Sequence, residues 1–153
     1  MATLADFLAP NQIAWLTTTD KPSTIRSLLA CVSASKSVKD AVSLETAIFE
    51  REVKMSTGVG YGVAIPHARL PEVEQFVLAI GIAPDGVNWE SEIDDQPVKL
   101  VCMIAGPSAG NDGYLKLLST VMKFVKSEKG KLLSSTHSDE VMGFAARYPV
   151  GDF

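Results

Sequence analysis

A chain of 153 residues is long enough to bury the core of one domain, and its 46% hydrophobic and 21% charged residues are typical of a globular protein. The formal net charge of −4 is opposite to the basic character of most nucleic-acid-binding proteins. We therefore predict a single domain over residues 1–153 that has no nucleic-acid partner.

The sequence contains no sign of a membrane segment or of a metal site. No apolar run approaches the roughly 18 to 20 residues that a membrane-spanning helix requires. The N-terminal residues MATLADFLAPNQ lack a basic start, and Asp6 interrupts their apolar stretch, so we expect no signal peptide. Cys31 and Cys102 lie in apolar runs and are predicted to be reduced core residues. These features indicate a cytoplasmic protein without membrane insertion or a bound metal.

Two helices are predicted in the first third of the chain, after an N-terminus that we expect to be loose at residues 1–2. The first covers PSTIRSLLACVSAS and starts at Pro22 or Ser23. The second covers SLETAIFEREVKM, with Ser43 as its N-cap. The apolar spacing predicts that these residues are buried: Ile25, Leu28, Leu29 and Val32 in the first helix, and Leu44, Ala47, Ile48 and Val53 in the second.

Strands are predicted in the middle of the chain. The first is the short segment GVAIP, and the second is QFVLAIGIA, from Gln75 to Ala83. A turn-rich acidic segment separates them from PVKLVCMIAGP, whose continuous apolar run is typical of a strand buried on both faces.

Two further helices are predicted in the last third, before an end that we expect to be loose from about residue 148. The segment NDGYLKLLSTVMKFVKS is capped by Asn111 or Asp112, and SDEVMGFAARY by Ser138. The predicted buried face of the longer helix consists of Leu115, Leu118, Val121, Met122 and Val125. Interspersed helices and strands predict an α/β fold with a mixed β-sheet flanked by helices.

The segment GVGYGVAIPHARL, from Gly58 to Leu70, carries one of the two histidines of the chain. A nucleotide-binding glycine loop follows a strand and opens a helix, whereas this segment follows a helix and leads into a strand. No Lys-Ser or Lys-Thr pair follows the glycines. We therefore expect no nucleotide and no other cofactor here.

The residues around His67 fit a phosphorylated histidine. An imidazole that is neutral near pH 7 can attack a phosphoryl group. Ser56, Thr57, the glycine amides and the guanidinium of Arg51 could then bind the phosphoryl oxygens. The alternative is that the glycines serve only backbone freedom and that His67 is an ordinary loop residue.

The longer segment FEREVKMSTGVGYGVAIPHARL closely resembles the active-site region of one enzyme IIA family. This is the fructose, mannitol and nitrogen type of the bacterial phosphoenolpyruvate-dependent phosphotransferase system. In that family an Arg-Glu pair ends a helix, a Ser-Thr-Gly-x-Gly-x-Gly segment follows, and the next strand ends in Ala-Ile-Pro-His. All of these elements are present here, and the resemblance extends from about Leu4 to Ala146.

The resemblance implies a mixed β-sheet flanked by helices and a phosphocarrier function. His67 would accept a phosphoryl group from the carrier HPr, or from its nitrogen-branch relative, and pass it to a IIB domain of a sugar permease. In nitrogen-type relatives the phosphorylation state is instead a signal that a regulatory target protein reads. By the same resemblance, Arg51 would bind the phosphoryl oxygens and Thr57 would line the site.

One position departs from the family pattern. A second active-site histidine commonly stands at the start of the long helix, where this chain has Tyr114. Tyrosine can donate a hydrogen bond but is neutral at pH 7. Either Tyr114 is a hydrogen-bonding substitute, with Arg51 and Arg69 carrying the charge, or the chain is a regulatory or degenerate binding module with little or no phosphotransfer. His137 does not replace the missing histidine, and we expect it to be a solvated loop residue.

Overall fold

The structure is a computed structural model that describes residues 2–91, 93–110 and 112–151. Within these residues lie four α-helices, eight strands and two short 3-10 helices, at Leu4–Phe7 and Pro10–Gln12. The α-helices are α1 Lys21–Ser33, α2 Ala41–Lys54, α3 Asp112–Ser134 and α4 Ser138–Ala145. The strands are β1 Ala2–Thr3, β2 Ile13–Trp15, β3 Gly58–Gly60, β4 Val63–Ala64, β5 His67–Arg69, β6 Val77–Val87, β7 Val98–Gly106 and β8 Pro149–Gly151.

The central sheet of the described chain has six strands and is mixed. Its order is β2, β6, β7, β4 and β3, and β5 also pairs with β7. The β6–β7 pair is antiparallel, whereas β2 runs parallel to β6, and β4 and β5 run parallel to β7. The prediction of a mixed sheet flanked by helices is therefore confirmed.

Helices cover the sheet on both faces and create two apolar cores. The first core joins the sheet to α3, α4 and the N-terminal segment. The second core joins the sheet to α1 and α2. Strand β7 contributes alternate residues to both cores, because successive side chains of a strand point to opposite faces. This explains the continuous apolar run that the sequence shows here. No helix within the described residues is long and apolar enough to cross a membrane.

The first two helices begin earlier than predicted. Helix α1 has Asp20 as its N-cap, and the Asp20 carboxylate accepts a hydrogen bond of 2.8 Å from the Ser23 amide. Helix α2 has Asp40 as its N-cap, with a corresponding bond of 3.0 Å from the amide of Ser43. The predicted start at Pro22 or Ser23 and the predicted Ser43 cap were wrong, because an aspartate three residues before each serine caps the helix.

The last helix is also capped by a different residue from the one predicted. Ser138 is the first residue of α4, and His137 is its N-cap. The Nδ1 atom of His137 accepts a hydrogen bond of 3.1 Å from the Asp139 amide. The exposed His137 therefore has a structural role at the helix start. Of the two caps predicted for α3, Asn111 lies outside the described residues and Asp112 lies within the first turn.

The buried face predicted for α1 is confirmed, whereas the faces predicted for α2 and α3 are only partly buried. The predicted face of α1 is fully buried, but Val53 at the end of α2 is 86% exposed and Leu115 in α3 is 57% exposed. The buried face of α3 is rotated from the predicted one and consists of Leu117, Val121, Phe124, Val125 and Leu132. Both sets follow the helical period and share Val121 and Val125, so the spacing alone did not decide which stripe contacts the sheet.

The strands differ from the predictions at the sheet edge and at the chain ends. The predicted strand GVAIP is divided into β4 and β5 around Ile65 and Pro66, so that His67 begins a strand instead of following one. Strand β2 was not predicted. The described parts of both chain ends are paired as β1 and β8, through the register Ala2 with Gly151, so they are not loose.

Candidate functional site

The backbone around Pro66 fixes where His67 emerges from the sheet. Ile65 donates its amide to the carbonyl of Thr57 at 3.0 Å, and Ile104 in β7 donates to the carbonyl of Pro66 at 3.0 Å. Proline has no amide hydrogen and restricts the residue before it to extended geometry. His67 then pairs with Ile104 in the parallel β5–β7 ladder. The His67 side chain is consequently half-buried at a rigid edge of the sheet.

A hydrogen bond determines which nitrogen of His67 carries the proton. The Nδ1 atom lies 2.8 Å from the carbonyl oxygen of Ile65. A carbonyl oxygen can only accept a hydrogen bond, so we assign the proton of the neutral ring to Nδ1. The Nε2 atom then holds the lone pair and is the nucleophilic nitrogen of the ring.

The surroundings of His67 favour the neutral ring. Burial lowers the pKa of His67, and the positive charge of Arg51 lowers it further. The hydrogen bond to Ile65 and the negative charge of Glu52 act in the opposite direction, but the pKa of His67 remains below its usual value. His67 is therefore mainly neutral, and nucleophilic at Nε2, at pH 7.

Arg51 brings a positive charge to the site from the last turn of α2. Its Nη1 atom donates a hydrogen bond of 2.8 Å to the carbonyl of Met55, which lies just beyond the helix. The Arg51 charge lowers the pKa of both His67 and Tyr114. The guanidinium is thus close enough to influence both rings, and phosphoryl binding by Arg51 stays a prediction.

Tyr114 lies beside His67, in the first turn of α3. The two ring centroids are 6.1 Å apart, with 42° between the ring planes. The Tyr114 ring also stacks on Phe76 at 6.3 Å, and the guanidinium carbon of Arg69 lies 4.6 Å from its centroid. Burial raises the pKa of Tyr114 in spite of the charges of Arg69 and Arg51. Tyr114 therefore offers a neutral phenol hydroxyl beside His67.

Arg69 holds the segment between β7 and α3. Its Nε atom donates to the carbonyl of Pro107 at 3.0 Å, and its Nη2 atom donates to the carbonyls of Ser108, at 3.3 Å, and of Gly110. These bonds and the stacking on Tyr114 direct the guanidinium towards the start of α3. Arg69 thereby fixes Tyr114 relative to His67.

Thr57 is buried beneath the site and bound to a carboxylate that received no role in the sequence predictions. The amide and hydroxyl of Thr57 donate to the two Glu52 oxygens, at 2.8 and 2.5 Å. Glu52 is only 6% exposed, and its Oε2 atom also lies 3.2 Å from the Nζ of Lys21. In the sequence, the feature that could have indicated this role of Glu52 was the Arg51-Glu52 pair followed by Thr57. Because Lys21 is distant in sequence, no local pattern indicated its part in the cluster.

Within the described residues, no group of three or more His, Cys, Asp or Glu side chains could hold a metal ion. The chemistry available to these residues is that of the His67 ring, the neighbouring Tyr114 hydroxyl and the charges around them.

The fold and the site together define a class: an α/β protein with a nucleophilic histidine at the edge of a mixed sheet, between the ends of two helices. The family model described as "Phosphoenolpyruvate-dependent sugar phosphotransferase system, EIIA 2" matches residues 6–146. The chain belongs to this enzyme IIA family.

The similar proteins of known role include sugar-transport and regulatory members. The chain is 32% identical over 128 residues to the fructose-specific EIIA component of Haloferax volcanii, with 82% of each chain covered. It is 33% identical over 125 residues to the fructose-specific EIIABC component of Bacillus subtilis; the match covers 80% of this chain but 20% of that protein. It is 27% identical to a nitrogen regulatory protein of Bradyrhizobium diazoefficiens, with 96% of this chain and 97% of that protein covered.

Solved structures share the fold. The nitrogen regulatory protein IIA-Ntr of Neisseria meningitidis superposes with a TM-score of 0.84, at 24% identity, over 93% of this chain and 98% of the other. The mannitol enzyme IIA of Escherichia coli, in a complex with its phosphorylated enzyme IIB, gives 0.77 at 21% identity, over 91% of this chain and 96% of the other.

Proposed function

We propose that this chain is a phosphocarrier in which Nε2 of His67 accepts a phosphoryl group from HPr, or from its nitrogen-branch relative, and donates it to a IIB domain. The observation that carries the proposal is the hydrogen bond from Nδ1 of His67 to the carbonyl of Ile65. Because this bond holds the proton on Nδ1, the lone pair of Nε2 is free to attack the phosphorus atom. We also propose a cytoplasmic location for this chain.

The transfer step exchanges one nitrogen–phosphorus bond for another. The Nε2 lone pair of His67 forms a bond to phosphorus while the bond between phosphorus and the carrier's imidazole breaks. The bonding electrons leave with the carrier ring, and the proton on Nδ1 of His67 stays in its bond to Ile65. Donation to the IIB domain is the reverse exchange, with a nucleophile of that domain as the attacking group.

The charges around His67 supply the stabilisation that such a transfer needs. Phosphoryl transfer depends mainly on positioning and on neutralising the charge of the phosphoryl oxygens. Arg51 provides the positive charge, and the Tyr114 hydroxyl provides a neutral hydrogen-bond donor. The Thr57 hydroxyl already donates to Glu52, so Thr57 contributes to the site through this buried hydrogen bond. This distribution of roles supports Tyr114 as a substitute for the second family histidine.

A test of the proposal uses both histidines of the chain. The protein is incubated with phosphoenolpyruvate, enzyme I and HPr, and its intact mass is measured. We expect a gain of one phosphate that is lost in acid, no gain for His67→Ala, and a normal gain for His137→Asn. The second variant is the matched control, because asparagine can keep the N-cap of α4. Phosphate uptake by His67→Ala would contradict the assignment.

A second candidate function is regulation, in which the phosphorylation state is read by a target protein. The end-to-end match with the Bradyrhizobium nitrogen regulatory protein favours it. The discriminating step is to add an isolated fructose-type IIB domain to the phosphorylated chain. Rapid transfer of the phosphate to the IIB domain supports the transport role, whereas phosphate that stays on His67 supports the regulatory role.

A further inference from the structure

Lys21 lies in an unusual environment for the first residue of a helix. A positive charge in the first turn is disfavoured by the helix dipole, which already makes the N-terminus positive. The Lys21 side chain is nevertheless only 17% exposed. Its Nζ atom lies 5.6 Å from the ring centroid of Trp89, which is fully buried. The side chain of Lys21 is therefore directed into the protein, where it contacts the buried Glu52.

Lys21 and Thr57 share one carboxylate. The Glu52 side chain is 4% exposed and accepts hydrogen bonds from Lys21 Nζ at 3.2 Å and from the amide and hydroxyl of Thr57. Removing one partner of a buried ion pair leaves an uncompensated charge, which is strongly unfavourable. The position of Thr57 thus depends on a carboxylate whose charge Lys21 balances.

The Glu52 charge also acts on the phosphoryl-accepting ring. It raises the pKa of His67, against the lowering caused by burial and by Arg51. A phosphoryl group on His67 would carry negative charge, and a like charge close by is repulsive. Lys21, from α1, forms a salt bridge of 3.2 Å with Glu52.

We propose that Lys21 is a positioning residue of the His67 site, which acts through Glu52 to hold Thr57 and to offset the negative charge of that carboxylate. This inference rests on the proposed phosphocarrier function. It requires no contact between Lys21 and the phosphoryl group, and it assigns to α1 a part in a site that is otherwise built from α2, β5 and α3.

The first test measures His67 in the unphosphorylated protein. The charged and titratable groups around the ring are Arg51 and Glu52 from α2, Tyr114 from α3 and Arg69 from β5. The pKa of His67 is followed by NMR in the wild type, Lys21→Met and Lys21→Arg. We expect Lys21→Met to raise the pKa of His67, because the Glu52 charge is no longer balanced, and Lys21→Arg to keep the wild-type value.

The second test measures the rate of phosphoryl uptake from phosphorylated HPr. We expect Lys21→Met to be slower than the wild type by about tenfold or more, as for other sites whose geometry is disturbed indirectly. Lys21→Arg should recover most of that rate. Lys39→Met is the matched control, because Lys39 forms a salt bridge of 3.2 Å with Glu74 on the surface, where both side chains are exposed. It should change neither the His67 pKa nor the rate.

The double variant Lys21→Met/Glu52→Gln keeps the test decisive if Lys21→Met alone does not fold. It removes both charges and keeps an amide oxygen that can accept from the Thr57 amide, while the Thr57 hydroxyl can accept from the glutamine NH2 group. We expect it to fold, to titrate at a pH no higher than the wild type, and to accept phosphate faster than Lys21→Met.

The proposal is overturned if a folded Lys21→Met protein has the wild-type His67 pKa and uptake rate, or if Lys21→Arg restores neither. It is also overturned if the double variant shows a raised His67 pKa. These results differ from a failure of the proposed function, in which the wild type itself accepts no phosphate.

Discussion

The ring of Tyr114 lies 6.1 Å from the ring of His67, and Phe76 and Arg69 both contact it. The two residues come from different elements, β5 and α3, and are 47 positions apart in the sequence. Their contact places a neutral phenol, which can donate a hydrogen bond, beside the His67 ring. The first prediction concerns what this donor does.

Replacing Tyr114 by phenylalanine tests the hydroxyl alone, because the ring can keep its stacking on Phe76 and Arg69. A hydrogen bond to a charged group contributes about 1.5–3 kcal/mol, so we expect phosphoryl uptake to slow by about tenfold or more. Stopped-flow or rapid-quench measurement of uptake from phosphorylated HPr gives the rate. An unchanged rate would show that the hydroxyl has no part in the transfer.

The companion variant Tyr114→His tests whether the natural site is degenerate. We expect the wild type to accept phosphate, and Tyr114→His to do so at a comparable or higher rate, because an imidazolium adds a positive charge. Phosphorylation that is absent from the wild type and present in Tyr114→His would support the degenerate alternative instead.

The pH dependence of stability should follow from His67. Because its pKa is lowered in the folded protein, the unfolded chain binds more protons at pH values between the folded pKa and about 6.5. The ring's contribution to stability is therefore complete above about pH 6.5 and decreases as the pH falls through the folded pKa. Urea unfolding of the wild type and of His67→Gln at several pH values measures the difference. We expect the wild type to lose more stability on acidification.

Arg51 should affect both the titration and the chemistry of His67. Arg51→Met removes a charge that lowers the pKa of His67, so we expect this pKa to rise. We also expect phosphoryl uptake to fall by about tenfold or more, because the loss of a charge-assisted partner weakens stabilisation of the transferred group. NMR titration and the uptake assay measure the two effects.

Arg51→Lys is the matched variant, since it keeps the charge but not the planar guanidinium. Its His67 pKa should be closer to that of the wild type, and its uptake rate should lie between those of the other two proteins. Equal rates for Arg51→Met and the wild type would exclude Arg51 from phosphoryl binding.

Thr57 should contribute to stability through its hydroxyl. Thr57→Val removes a donor from the buried Glu52 carboxylate, and an unsatisfied buried acceptor costs about 1–3 kcal/mol. We expect a decrease of that size in the free energy of unfolding, measured with urea. Thr57→Ser keeps the donor and should be less destabilised. If valine and serine have the same effect, the hydroxyl bond does not stabilise the fold.

Two glycines should respond in opposite directions to alanine. Gly62 has φ of +74°, and a Cβ atom there would lie 3.2 Å from the Pro97 carbonyl oxygen and 3.0 Å from Lys129 Nζ. We expect Gly62→Ala to destabilise the protein by about 1–3 kcal/mol. Gly130 lies within α3, and no atom lies within 4 Å of its added Cβ. Gly130→Ala should therefore stabilise by about 0.5–1 kcal/mol.

Thermal or urea unfolding of both glycine variants measures these effects under the same conditions. A Gly62→Ala protein as stable as the wild type would contradict the requirement for a left-handed backbone at this turn.

The sequence by itself determined the elements whose signals are local. The apolar spacing of α1 and the long apolar run of β7 predicted buried elements that the structure confirms. The motif from Arg51 to His67 identified the enzyme IIA family, because its residues are close together in the chain and can be read as one pattern. Periodicity was less reliable at helix ends, where Val53 and Leu115 follow the apolar pattern but are exposed.

Only the tertiary structure decided how distant residues act together. The parallel pairing of β5 with β7 fixes His67, and the hydrogen bond to Ile65 selects its nucleophilic nitrogen. The packing of α3 against β7, the strand that pairs with β5, brings Tyr114 to the same ring, and the packing of α1 against α2 brings Lys21 to Glu52. These relationships depend on three-dimensional contacts between elements far apart in the chain. A spacing rule describes one helix or one strand, so it contains no information about such contacts.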